Sequence, residues 1–160
     1  MRKILSILTV CLAAIIAVAA DSKTPPVFQM RLVLDEATAD SECFTNNQAN
    51  NLNGNVHIEK IDVQKKILID QTSLKSVTAS TNFQGHQRID FTLTPEGQKQ
   101  FADVTSQNIG KRLAIIIDGK LVSAPTIQQP ITEGKGQITG SYSAQEAKDL
   151  AAKMEAAITK

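Results

Sequence analysis

The chain has 160 residues, with 17 Lys and Arg against 16 Asp and Glu and a formal net charge of +1. That length suits one domain with at most a small appendage, and the even scatter of bases among acids excludes the basic stripe of a nucleic-acid binder. Aromatic residues make up only 4% and Trp is absent, so the core must be built from Ile, Leu, Val and Ala.

The N-terminus is a different kind of sequence from the rest. Arg2 and Lys3 precede an apolar run from Ile4 to Ile16, and Ala17, Val18, Ala19 and Ala20 follow before Asp21. A charged start, an apolar middle and a small-residue end are the anatomy of a secretory signal peptide, expected over residues 1–20. A retained membrane anchor is the alternative, although the run is short for a full span. Cys11 suggests lipidation, but Val10 is a poor residue at the position before a lipidated Cys. Cleavage would leave a near-neutral protein with Cys43 as its one cysteine, unable to form an internal bridge. The expected location is periplasmic or secreted, with membrane association only if the signal segment is retained.

Residues 21–55 form a first segment. After a polar linker, "VFQMRLVLD" favours a strand. Six asparagines lie between Asn46 and Asn55, and Asn competes with regular structure by bonding nearby backbone. Thr45 to Asn55 therefore reads as a surface loop that divides a short N-terminal element from a main body, residues 56–160.

In that body, Val56, Ile58, Ile61 and Val63 come near to alternation, and "KKILID" is a second short strand. "SLKSVTAST" and "HQRIDFTLT" flank a turn at Gly85. Ile89, Phe91 and Leu93 alternate with Asp90, Thr92 and Thr94, which predicts a hairpin with one wet face. Thr94 then caps a helix with Pro95 at its first position. Phe101, Val104 and Ile109 share its apolar side, and Gly110 closes it with a left-handed cap. "RLAIIID" is a continuous apolar run, long enough for a strand buried on both faces. Asp118-Gly119 signals a hairpin turn, and "KLVSAP" returns until Pro125 stops the ladder. A loop with Ile127 and Ile131 as apolar anchors leads to "QITG". After Gly140, Ser143 and Glu146 have capping-box spacing at the start of a last helix. Ala147, Leu150, Ala151, Met154 and Ile158 form the buried stripe of that helix. Antiparallel strand pairs with two amphipathic helices packed on them make an α+β fold.

Catalytic signals are missing. His57 and His86 stand apart from any cluster with metal-ligand spacing, no serine sits in a nucleophile elbow, and the glycines at 134, 136 and 140 lack the Lys that a phosphate loop needs. Asp118 has the plainer task of shaping its turn. No enzyme activity, cofactor or metal is expected.

From about Asp90 to Ile158 the sequence resembles the head of the first periplasmic domain of SecD, a subunit of the SecDF accessory complex of bacterial protein translocation. The resemblance is carried by Leu93 to Gly97 with Phe101, and by Thr105, Asn108 to Lys111, Leu113 to Ile115, Asp118 and Gly119. It continues through Ser123 to Pro125, Ile127, Ile131, Gly134 and Gly136 to Gly140, then Gln145 to Ala147 and Asp149 to Ala151. Val56 to Ile89 match more weakly. The resemblance implies a non-catalytic head that contacts unfolded preproteins or Sec translocon subunits. The candidate surface is the loop of Ser123, Pro125, Ile127, Pro130, Ile131, Gly134 and Gly136. The family continues into membrane helices, whereas no hydrophobic segment follows residue 20 here. A stand-alone exported module is therefore expected, without proton-driven pulling. A second reading keeps the fold as an extracytoplasmic binding or inhibitory module for an unrelated partner, recognised through the N-terminal segment and Cys43.

Overall fold

The computed structural model describes residues 26–46, 59–140 and 142–158. The expected signal segment, Cys11, His57, Val56, Ile58 and most of the asparagine-rich stretch lie outside them. Nine strands and two helices follow in the order β1 (Phe28–Leu34), β2 (Ser41–Asn46), β3 (Glu59–Gln64), β4 (Ile69–Asp70), β5 (Leu74–Thr81), β6 (Gln87–Leu93), α1 (Pro95–Gln107), β7 (Leu113–Ile117), β8 (Lys120–Ser123), β9 (Lys135–Thr139) and α2 (Ala144–Ile158). A 3-10 turn, Gln71–Ser73, leads into β5. All strand pairs are antiparallel and form two sheets, one in the order β2-β3-β1-β7-β8 with β4 also on β1, the other β5-β6-β9. The fold is α+β, as the strand and helix signals imply.

β7 lies at the centre, with all five residues buried. Leu113, Ile115 and Ile117 face a core shared with Phe28, Met30, Ile89, Phe91 and Ile138 of the strands, Phe101 of α1 and Met154 of α2. Ala114 and Ile116 face the other way, onto a smaller apolar layer of Ile61, Val63 and Leu121 with half-buried Val33 and Phe44. The first sheet curls around that layer far enough to bring β2 against β8. Two ion pairs accompany the curl. Arg31 reaches Glu42 at 2.9 Å while also donating to the Gln29 side chain, and Arg112 reaches Glu59 at 3.0 Å.

β1 departs from the expected domain division. It is a central strand, with Phe28–Leu32 paired along β7 and its other edge shared by β3 and β4. The N-terminal element is thus part of the body rather than a separate piece. The sequence showed a strand at this point but not a partner some eighty residues away. Thr45 and Asn46, read as loop, belong to β2, where Thr45 pairs with Lys60 and Asn46 with Glu59. Pairing outweighed the local preference of Asn for turns.

α2 lies on β5 and β6, and its Glu155 carboxylate accepts the Val77 amide at 2.8 Å, near the irregular register between Leu74 and Ser76 of β5. α1 packs against the 3-10 turn, β4 and β6. It buries Phe101 and Thr105 but ends at Gln107, so Ile109 falls beyond it and is 53% exposed rather than on its apolar side. β9 begins two residues earlier than expected because Gly136 pairs with Phe91. The Phe91 ring occupies the space above that glycine, where a Cβ would lie 2.2 Å from Cζ.

Two stability changes follow from these contacts. Gly136→Ala forces the buried Phe91 ring aside and should cost about 1–3 kcal/mol. Ile116→Ala empties the smaller layer and should cost about 2–5 kcal/mol. Urea unfolding followed by circular dichroism measures both, and an unchanged midpoint for either variant would contradict the packing described.

Candidate functional site

The loop after β8 was expected to carry apolar anchors, and its geometry is that of a tethered strap. The Pro125 carbonyl accepts the Leu113 amide at 2.8 Å. Thr126 bridges to Arg112, the Ile127 amide donates to the Lys111 carbonyl at 2.9 Å, and the Ile127 carbonyl accepts the Gly110 amide at 2.8 Å. Further on, the Ile131 amide donates to the hydroxyl of buried Thr105 at 2.9 Å. The Thr132 carbonyl accepts from Gln98 Nε2 at 2.6 Å. The Gly134 carbonyl accepts the Leu93 amide at 2.7 Å, with Gly134 at φ +64°.

These bonds overturn one expectation. Ile127 is only 4% exposed and belongs to the main core, so it is no anchor for a partner. Ile131 is half-buried against the same core. Gly134 is buried, and Ser123 and Gly136 are half-buried. Pro125 and Pro130 stay exposed, beside Thr126, Gln128 and Gln129. The outer surface of the strap is polar and proline-studded. The isoleucines point inward because the loop crosses the end of α1 and must cover apolar surface there.

The turns and caps are formed from local chemistry. The Thr94 hydroxyl accepts the Gly97 amide at 3.1 Å, with Pro95 at the first helical position. Asn108 follows the last turn of α1, its side chain donating to the Val104 carbonyl, and Gly110 adopts φ +84°. Asp118 and Gly119 have φ of 52° and 72°, the left-handed pair of a two-residue hairpin turn. The Ser143 amide donates to the Glu146 carboxylate at 2.8 Å, and the Glu146 amide to the Ser143 hydroxyl at 3.2 Å. The Ser143 amide, and after it the Ser143 hydroxyl, holds the Glu146 carboxyl below its ordinary range. A Cβ on Gly140 would fall 2.7 Å from the Tyr142 ring.

Beside the strap lies a cleft of about 1150 Å³ that sequence reading missed. Its walls are β2, the β7–β8 hairpin, the end of β9 with Tyr142, and the exposed side of α2. Asp118 of the hairpin turn and Lys153 of α2 meet at its edge, 2.7 Å apart. Their hydrogen bond lowers the Asp118 pKa and raises that of Lys153. Exposed Cys43 lies on the β2 wall. The Tyr142 hydroxyl is buried without a protein partner among the described residues, and burial pushes its pKa up to about 12. These residues come from four distant parts of the chain and show no periodicity in common, so only the pairing of strands reveals them. Phe83, at the tip of the β5–β6 hairpin, stands fully exposed. Among the described residues no group of His, Cys, Asp and Glu is placed to hold a metal ion, and no helix is long and apolar enough to cross a membrane.

The family model for the SecDF P1 head subdomain matches residues 41–158. The chain belongs to that family. The SecDF match begins at β2, upstream of the stretch from Asp90 to Ile158 that carries the resemblance. The SecDF protein translocase subunit of Thermus thermophilus is 36% identical over 134 residues, 78% of this chain and 18% of that protein. The SecD subunit of Aquifex aeolicus is 45% identical over 89 residues, 56% of this chain and 18% of that protein. A SecDF crystal structure in a super-membrane-facing form superposes with a TM-score of 0.64 at 32% identity, covering 81% of this chain and 18% of the other. A second SecDF structure, described as a membrane component that enhances protein export, gives 0.62 at 28% identity and covers 83% and 61%. The chain thus spans about a fifth of the length of the SecD and SecDF subunits it matches.

The one tyrosine of the chain gives a clean titration. Its phenolate absorbance should rise near pH 12 in the native protein and near pH ~10 in denaturant. Because the folded pKa is the higher, this contribution to stability is complete below the unfolded value and is lost as pH rises through the folded one. A native midpoint at the denatured value would mean the ring is not buried. For Asp118 the sign is opposite. The stabilisation it draws from Lys153 is present above the ordinary carboxylate range and disappears as pH falls through its lowered pKa. The difference in melting temperature between the native protein and Lys153→Met should therefore vanish in acid, and a difference that persists there would rule out the pair as its source.

Proposed function

We propose that this head subdomain binds unfolded polypeptide outside the membrane, in support of protein translocation, and that residues 1–20 direct it there. Membership of the SecDF P1 head family supports the reading, together with relatives named as translocase subunits and as enhancers of protein export. The observation that carries it is the cleft between β2, β8 and α2. It is large, open and lined by both polar and apolar side chains, which suits a chain of varied sequence better than one small ligand. The strap from Pro125 to Gly136 then serves as the rigid flank of the domain, with exposed Pro125 and Pro130 as its remaining contact points.

Photo-crosslinking in living cells tests this. With the probe at exposed Lys120 in the cleft and a comparator at Pro130 on the strap, adducts to translocating chains or Sec translocon subunits should arise chiefly from Lys120. Adducts arising chiefly from Pro130 would return the contact to the strap. Capture of one unrelated envelope protein, with no exported chain, would mean that the fold serves another partner.

A further inference from the structure

We propose that the outer edge of β9 takes up an extended polypeptide segment as a further strand of the β5-β6-β9 sheet, a mode of binding that rests on the function proposed above. The two edges of that sheet differ. The Asn82 amide donates to the His86 carbonyl at 2.9 Å. From this pair the β5–β6 ladder alternates, so Ser80 and Thr78 bond to β6 while Val77 turns its main chain outward. The Glu155 carboxylate of α2 meets that outward amide at 2.8 Å, and α2 lies on β5. The β5 edge is therefore covered. At the other edge, β9 forms a ladder with β6 alone. Apart from β6, no strand or helix among the described residues makes extended contact with it.

The register fixes which groups β9 offers. The Leu93 amide donates to the Gly134 carbonyl at 2.7 Å, one step beyond the Thr92–Lys135 pair. Alternation from that bond makes Phe91–Gly136 and Ile89–Ile138 the bonded pairs. It turns the N–H and C=O groups of Lys135, Gln137 and Thr139 away from β6. All three residues are exposed, and among the described residues no hydrogen bond reaches those groups. Donors and acceptors thus stand at strand spacing in solvent, a pattern that an extended backbone satisfies and a helix does not. A second copy joined through β9 alone would supply five residues, against about 20–30 a side in a stable interface. A flexible chain gains contact beyond the strand, because Thr139 and Gly140 form part of the cleft wall. The occupant is therefore a polypeptide in extended form, read through its main chain and tolerant of its sequence.

Amide exchange in the full chain reads this pairing residue by residue. The probe is a peptide of about eight residues alternating Val and Thr, a common strand length. It should slow exchange at Lys135, Gln137 and Thr139 about tenfold or more, and leave Gly136 and Ile138, already bonded to β6, as they were. Gln137→Pro removes a donor that β6 does not use, and an edge strand tolerates proline at such a place. That variant should bind the peptide about tenfold or more weakly with an unchanged circular dichroism spectrum. Two N-methylated peptides carry the same test where the proline variant unfolds. Methyl groups at odd or at even positions remove the donors along one edge and keep every side chain, so one series should bind about tenfold more weakly than the other. Equal binding by both series overturns strand addition, as does protection by the peptide that bypasses β9. Slow exchange at the three outward amides without peptide, together with a dimer in sedimentation, would give the edge to a second copy and overturn it too. Binding of a reduced, carboxymethylated polypeptide that leaves β9 unprotected would remove strand addition and keep the proposed function. Failure of that polypeptide and of the peptide to bind at all would remove both.

Discussion

The burial of β7 on both faces is the constraint on which the rest of the structure depends. A five-residue run with no polar side chain can be satisfied only by apolar cover on two sides. One side receives the second sheet and both helices, the other the layer of Ile61, Val63 and Leu121. The second cover exists only because the first sheet curls, and the curl brings β2 around to β8. The ion pairs Arg31–Glu42 and Arg112–Glu59 flank that layer, where exposed pairs alone contribute little and packing carries most of the stability.

The same curl gives the surface two different parts. On the strap, main-chain groups are tied to α1, β6 and the segment before β7, and the isoleucines complete the core. Prolines and polar residues remain outside. At the seam the reverse holds. Among the described residues no ladder joins β2 to β8 beside the cleft, and the Tyr142 hydroxyl is buried there without a protein partner. The residues that tie down the strap and the residues that line the cleft are thus different ones, even though they are neighbours in sequence around Ser123.

Much of the fold was legible because it follows short-range rules. Strict alternation marked β6, the unbroken apolar run marked β7, Asp118-Gly119 marked the hairpin, and Thr94 and Ser143 marked the helix starts. The expectations that failed share a cause. Ile127 and Ile131 looked accessible because their neighbours in sequence are polar, yet burial is decided by what lies across space. Ile109 matched the helical period, but the helix ended before reaching it. Thr45 and Asn46 favoured a loop until Lys60 and Glu59 supplied a ladder.

By itself, the sequence determined the α+β class, the order of most elements, their turns and caps, and the SecD-like character of the chain. Each of these rests on residues within a few positions of one another or on motifs at fixed spacing. Only the tertiary structure decided that β1 is a central strand, that there are two sheets rather than one, and that the strap is bound down while β2 comes to lie against β8. Those outcomes depend on which strand finds which partner across long stretches of chain. Alternation states that a residue faces inward or outward, and it carries no record of what stands opposite.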